Sequence, residues 1–223
     1  MDPFVHLAAA CTAFLATHLV SSTPLRGTLV RSLGERGYLA LYSAAAFATL
    51  GWMILAYVRA PAEPLWPGLR LAPSLVMPFA FVLIACGLAR NPTMVGADRL
   101  LKSAEPARGI LRVTRHPVMW GILLWAGAHI LARGELKATI LFGTMLVLAG
   151  LGSVLLDARK AKEAGADWQR FAAVTSHVPF LAIAQGRNRL VLAEIGWAKP
   201  AIGLALYALV FWAHPWLFGA RPY

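Results

Sequence analysis

Charged residues are scarce in this chain of 223 residues. Only 14% of them are Asp, Glu, Lys or Arg, and 59% are hydrophobic, whereas soluble domains have about 25% charged and roughly 45–50% apolar residues. The mean hydropathy is +0.63. This composition excludes an ordinary water-soluble domain and indicates an integral membrane protein.

Cysteine and the common soluble-enzyme motifs are also nearly missing. Cys11 and Cys86 each lie in an apolar run, where a thiol behaves as a small hydrophobic group, so no disulfide framework is expected. The chain contains no C-x-x-C-H, C-x-x-C, G-x-x-x-x-G-K-[ST] or G-x-G-x-x-G pattern. Basic and aromatic residues are not interleaved, which excludes nucleic acid as an expected partner.

What the chain does have is long apolar runs. About 20 apolar residues cross a bilayer as a helix, and this length predicts an all-α polytopic bundle of about six spans forming one membrane domain over residues 1–223. The predicted spans are Phe4–Val20, Tyr38–Val58, Leu71–Ala89, Val118–Ala132, Ala138–Leu156 and Ile195–Phe218. Only Met, Asp and Pro precede the first span, so it lacks the basic region of a signal peptide and is expected to be retained.

The distribution of Lys and Arg predicts the orientation of the bundle. The first, third and fifth loops hold 16 of the 21 basic residues, and basic residues concentrate on the cytoplasmic side. Both termini are therefore expected in the periplasm or its equivalent. The net charge of +11 is explained by this bias and by attraction to anionic headgroups of the lipid bilayer.

The fifth loop, from Asp157 to Lys199, is expected to contain structure of its own. Residues 157–174 are polar on one helical face, while Trp168, Phe171 and Val174 lie on another. This pattern predicts a helix that leaves the membrane, followed by an amphipathic helix along the cytoplasmic surface.

Histidines are the candidate chemical groups. An imidazole inside a membrane is a functional hypothesis by default, although a hydrogen bond to a neighbouring helix is the simpler explanation for any single one. On a helix, the step from His116 to His129 rotates by roughly 220° and rises about 20 Å, so these two cannot hold one metal, and His6 and His18 fail in the same way. A shared site must join different helices.

The predicted topology sorts the histidines by depth. His6, His129 and His214 are expected toward the outer face, His18 and His116 toward the cytoplasmic face, and His177 in the fifth loop. Neutral imidazoles with few carboxylates nearby suit haem, or copper or zinc, better than magnesium or calcium. The residues alone leave an outer cluster and an inner pair open.

Several segments in succession resemble the NnrU family of bacterial membrane proteins. They are FLATHLVSS, PLWPG, ILRVTRHPVMWGILLWAGAHILARGE, FAAVTSHVPFLAIAQGR and FWAHP. The same order of motifs is similar to 15-cis-zeta-carotene isomerase of plants and cyanobacteria, a related branch. This resemblance implies a bacterial inner membrane location and a b-type haem.

The resemblance also implies site residues. The matched haem ligands are His18 and His129, with His116, His214 and His6 as rivals. Arg115 and His116 are expected at the cytoplasmic entrance of the fourth span, where they would reach a haem propionate or a lipid headgroup. The isomerase has a cysteine three residues before the second ligand, whereas this chain has Ala126. No catalytic residue is assigned.

Three functions follow as expectations. The NnrU branch implies support of nitrite and nitric oxide metabolism, as redox component, sensor or maturation factor, with a redox partner. The isomerase branch implies a haem-dependent carotenoid cis/trans isomerase acting on a hydrophobic small molecule. The segment RHPVMWG also resembles membrane methyltransferases that use S-adenosylmethionine, although Met119 or Trp120 replaces their tyrosine and LDARKAKE replaces their paired glutamates.

Overall fold

The structure is a computed structural model and describes residues 1–94 and 96–222. The chain is 75% helical, and the described residues form no strand, which confirms the predicted all-α class. The α-helices are α1 (Pro3–Leu19), α2 (Pro24–Arg59), α3 (Ala72–Gly87), α4 (Pro117–Arg133), α5 (Leu136–Ala173), α6 (Leu181–Ala184), α7 (Leu192–Ile195) and α8 (Ala198–Phe218). Three 3-10 helices, Val20–Ser22, Asp98–Lys102 and Gly109–Arg112, lie in the connections.

Within the part of the chain that the structure describes, four helical segments are long and apolar enough to cross a membrane. These are Pro3–Ser22, Pro24–Arg59, Leu136–Ala173 and Ala198–Phe218. The third and fourth predicted spans correspond to the shorter helices α3, with 16 residues, and α4, with 17 residues. The membrane-embedded helical class is therefore confirmed, and the predicted span centres all fall inside helices.

Two helices extend well beyond the predicted spans. α2 begins at Pro24, whereas the prediction began at Tyr38, so the expected first loop is largely helical and is interrupted at Gly34, where φ is 71°. α5 continues past Leu156 to Ala173 and breaks at Gly165, where φ is 50°. Hydropathy identifies the part of a helix that is apolar enough to lie in a membrane. The polar continuation of the same helix gives no hydropathy signal, so its length is not predicted.

The chain divides into two compact units. Unit 1 comprises Met1–Arg70 and Ala126–Leu155, and unit 2 comprises Leu71–Trp125 and Leu156–Tyr223. In unit 1, α1 packs along α2. The start of α1 is capped by Asp2, whose carboxylate accepts hydrogen bonds from the backbone N–H groups of Phe4 and Val5, as expected for an N-cap residue followed by proline.

A tight turn at the end of α4 organises the remainder of unit 1. The carbonyl of Gly134 accepts the backbone N–H groups of Leu65 and Trp66. Gly134 has a φ of 59°, and a Cβ there would lie 2.2 Å from the Trp66 carbonyl oxygen. Glycine is therefore required at this turn both for its backbone conformation and for the close approach.

In unit 2, the amphipathic part of α5 packs on protein. Trp168 and Phe171 are buried together with Leu101, Ala107 and Leu111, which come from the loop between α3 and α4. The expected surface helix is present after Gly165, but its apolar face covers this core, whereas the prediction placed that face along the membrane. Periodicity identifies an apolar face and leaves the choice between lipid and protein open.

α3 and α8 form the apolar helix pair of unit 2, and they approach closely at Gly203. A Cβ on Gly203 would lie 2.9 Å from the carbonyl oxygen of Phe81 and 2.9 Å from the Cα of Val82. Tyr207, one turn later, donates its hydroxyl to the Ser74 carbonyl at 3.3 Å. Small residues at such crossings allow two helix backbones to pack against each other.

Gly203→Ala should therefore separate α3 from α8. The added methyl meets backbone atoms, which cannot rotate away, and we expect a loss of about 1–3 kcal/mol in the free energy of unfolding, measured by SDS titration of detergent-solubilised protein. Gly51→Ala in α2 is the control, because its added methyl contacts nothing within 4 Å and alanine favours a helix by up to about 1 kcal/mol. Equal effects of the two substitutions would contradict the close approach.

Candidate functional site

His18, the first predicted ligand, lies near the end of α1 in unit 1. Its Nδ1 donates to the Phe14 carbonyl oxygen at 2.8 Å, because a carbonyl can only accept. Its half-buried ring packs on Phe14 at 4.1 Å and meets Tyr42 edge-on at 5.9 Å between centroids. The bond at Nδ1 sets the tautomer and leaves Nε2 as the nitrogen that can bind a metal.

His129, the second predicted ligand, belongs to the same unit. Its ring packs on Phe142 of α5 with the centroids 5.0 Å apart. Ala126 and Ala128, which precede His129 on the helix, are buried, so His129 has small neighbours on that side. Ala126 occupies the position at which the isomerase has a cysteine. Its methyl side chain has no atom that can bind a metal.

The rival histidines differ in the state of their ring nitrogens. His6 accepts the indole N–H of Trp52 at Nε2, at 2.8 Å, so a metal at that nitrogen would have to displace this hydrogen bond. His214, in unit 2, donates Nδ1 to the Ala220 carbonyl at 2.7 Å, as His18 does to Phe14. The pattern at His18 therefore suits a ligand but is shared by one rival.

Arg115 and His116 are brought together in unit 2 by Asp157, which sequence reasoning did not single out. One carboxylate oxygen accepts both Arg115 Nε, at 2.8 Å, and Nη2, at 2.6 Å. The other lies 2.6 Å from His116 Nε2. His116 is 1% exposed, and its Nδ1 has no hydrogen-bond partner among the described residues.

The backbone around this cluster is tied to the segment after α5. Thr114 donates its hydroxyl to the His177 carbonyl at 2.7 Å, and Trp120 donates its indole N–H to the same oxygen at 2.8 Å. The rings of His116 and His177 are 5.1 Å apart. Burial, with a smaller contribution from His116, lowers the pKa of His177 below its ordinary value of 6.5, so its ring is neutral at pH 7.

This cluster holds His116 in a fixed orientation next to the carboxylate of Asp157, which also pairs with Arg115. The contact with Asp157 fixes the ring, and Nδ1 of His116 is the nitrogen left to accept a hydrogen bond. Among the described residues, no group of three or more His, Cys, Asp or Glu side chains could hold a metal ion. A haem needs only one or two protein ligands, which is fewer side chains than such a group contains.

A second ion pair holds the end of the fifth loop. Glu194 receives Arg112 Nη2 at 2.8 Å and Nε at 2.7 Å, and it also receives the Gly109 N–H at 2.9 Å. These bonds, those of Arg112 first, hold the pKa of the Glu194 carboxyl at about 2, from an ordinary 4.5. Arg112 also donates to Asn188 at 2.7 Å, so the pair joins the 3-10 helix at Gly109–Arg112 to α7.

Known proteins are similar in sequence to this chain. The family described as NnrU protein matches residues 6–222. The chain belongs to the NnrU family. It is also 35% identical over 118 residues to the chloroplastic 15-cis-zeta-carotene isomerase of Arabidopsis thaliana. That alignment covers 50% of this chain and 31% of the isomerase, and no solved structure matches the chain.

Membership of the NnrU family confirms the resemblance found in the motifs, but the motifs alone missed two members of the buried cluster. Asp157 directly follows the fifth predicted span, and its position at the same predicted membrane boundary as Arg115 and His116 was the available signal. His177 was assigned only to the fifth loop. Its approach to His116 depends on how that loop folds back, which the local sequence does not show.

Asp157→Asn should destabilise this NnrU-family protein strongly. It removes the charge that compensates Arg115 in a largely buried site, and losing one partner of such a pair costs about 3–5 kcal/mol. SDS titration of the free energy of unfolding measures this. Asp167→Asn on the same helix is the control, because its pair with Arg170 is roughly half exposed and should contribute within about 1 kcal/mol. Similar losses in both variants would refute a special role for Asp157.

The Arg112–Glu194 pair predicts a defined acid dependence. Because the pKa of Glu194 is depressed in the folded protein, its stabilisation is complete above pH 4.5 and is lost as the pH falls toward about 2. The stability difference between the native chain and Glu194→Gln should therefore be constant from pH 7 to 5 and shrink below 4.5. Glu105→Gln, in an exposed pair, should show little difference at pH 7. A difference that grows on acidification would contradict the assignment.

Proposed function

We propose that this protein binds haem b within the membrane, where His18 and His129 would hold it, and acts on the double bonds of a carotenoid-like polyene. The observation that carries the ligand assignment is the bond from His18 Nδ1 to the Phe14 carbonyl. Metal-binding histidines typically donate their second ring nitrogen in this way, which orients the other nitrogen toward the metal.

The surroundings of the two histidines support the fit. Both side chains are half-buried in unit 1, against Phe14, Tyr42 and Phe142. Aromatic and alanine neighbours give each imidazole apolar surroundings, which suit a haem. Because Ala126 supplies no thiol, ligation at this part of α4 is assigned to the imidazole of His129.

When bound, a haem iron would supply the electronic chemistry that loosens a double bond, while the protein supplies binding and orientation. His18 and His129 would hold the group in place. The apolar faces of α1 and α4 would keep water from a hydrophobic substrate. No proton transfer by these histidines is needed for a change of cis/trans geometry, since the substrate neither gains nor loses atoms.

Similarity to the Arabidopsis isomerase supports a carotenoid-like polyene as the class of substrate. The alignment covers only part of each chain, so the proposal names the class and no single compound. The bacterial inner membrane, with both termini in the periplasm, is proposed as the location from the distribution of basic residues. Support of nitrite and nitric oxide metabolism and methyl transfer from S-adenosylmethionine stay predictions. The nitrogen-oxide function is separated from the isomerase proposal by the reaction with nitric oxide or nitrite described below.

Haem binding is tested by the visible spectrum of purified protein. Reduced protein should show the bands of six-coordinate haem b, and His18→Ala and His129→Ala should each lose haem or convert it to another ligation state. His214→Ala is the matched control, because its Nδ1 also bonds a backbone carbonyl, and it should keep the native spectrum. A colourless preparation from haem-replete cells, or loss only in His214→Ala, would overturn the assignment.

Activity is tested on the haem-loaded, reduced protein with a cis carotene. Product analysis should show conversion of the cis isomer that is absent with His129→Ala protein. A haem-loaded protein that leaves every cis carotene unchanged would refute the isomerase activity while leaving haem binding in place. In that case, a rapid change of its visible spectrum on addition of nitric oxide or nitrite would favour the nitrogen-oxide function.

A further inference from the structure

A cavity of about 250 Å³ lies in unit 2, beside the Arg112–Glu194 ion pair. It is formed where α3 ends and α8 begins, and the loop before α4 closes its side. α8 is one of the candidate membrane spans, so this cavity lies at the end of a lipid-facing helix pair. Neither the proposed haem ligands nor the Arg115–His116–Asp157 cluster contributes to it.

The lining of the cavity is amphiphilic. Its floor contains the buried side chains of Cys86 and Leu111, with Ile195 beside them. Three cationic residues line it as well, at Arg90, Arg108 and Lys199. Arg90 adopts a positive φ of 56°, so the chain turns sharply directly after α3, next to the cavity.

The charges in this cavity are not balanced. The two lining carboxylates are already engaged, since Glu194 is bound by Arg112 at 2.7 Å and Glu105 lies 3.7 Å from Arg108. Within residues 1–94 and 96–222, neither Arg90 nor Lys199 has a carboxylate within 4.0 Å. Two cations therefore lie beside an apolar floor without a protein counter-charge.

We propose that this cavity binds the headgroup phosphate of an anionic phospholipid. Arg90 and Lys199 would pair with the phosphate, and the floor at Cys86, Leu111 and Ile195 would contact the glycerol and the first carbons of the acyl chains. Basic pockets at the ends of membrane helices bind lipid phosphates in this way. A soluble phosphate shares the anionic chemistry but would leave the apolar floor without a partner.

The test uses the full-length protein in neutral detergent, titrated with phosphatidylglycerol or phosphatidylcholine, with bound lipid counted by native mass spectrometry. Phosphatidylglycerol should bind more tightly than phosphatidylcholine. The variant Arg90→Gln/Lys199→Gln should weaken phosphatidylglycerol binding by about fivefold for each cation removed. The matched control is Arg59→Gln/Arg70→Gln, which makes the same charge change at exposed arginines of unit 1 and should leave the affinity unchanged.

A charge-conserving variant and competition by soluble phosphates distinguish lipid binding from the alternatives. The variant Arg90→Lys/Lys199→Arg keeps both charges and should retain binding, which guards against a folding defect in the neutral variant. Inorganic phosphate and glycerol 3-phosphate, added at the same concentrations, should compete poorly. Equal loss in the two neutral variants, no preference for phosphatidylglycerol, or equally tight binding of inorganic phosphate would each overturn the lipid assignment.

Discussion

The carboxylate of Asp157 is the constraint on which unit 2 depends. A buried ion in an apolar chain is costly unless it is paired and hydrogen-bonded, and Asp157 pairs with both Arg115 and His116. Because those residues immediately precede Pro117, the pairing sets where α4 begins. The bonds from Thr114 and Trp120 to the His177 carbonyl then fix the chain that follows α5 to the same point.

The pairing of charges also explains why α5 extends so far beyond its apolar span. Its second half brings Asp157 to the buried cluster, Lys160 to Asp98, and Trp168 and Phe171 to the core beneath the α3–α4 loop. One helix thus delivers ionic and apolar contacts to a segment with little regular structure of its own. The loop between α3 and α4 is stabilised by these contacts, since its 3-10 helices are too short to be stable alone.

Sequence reasoning identified the class, the positions of the membrane-compatible helices and the family, and it singled out Arg115 and His116 as candidate site residues. It did so because hydropathy and short motifs are local properties. It missed Asp157 as the partner of both residues, and it gave the apolar face of the second half of α5 to the membrane. Those features depend on contacts between residues more than forty positions apart, which neither periodicity nor composition encodes.

The histidines differ most in what holds their ring nitrogens, and this difference separates two kinds of chemistry. His116 is bound to the Asp157 carboxylate, which Arg115 binds as well. His18 and His214 are bound to backbone carbonyls, which orient the ring without adding a charge. An imidazole that a backbone carbonyl orients among apolar and aromatic side chains keeps its other nitrogen for a metal, whereas the imidazole of His116 is fixed to a buried ion pair.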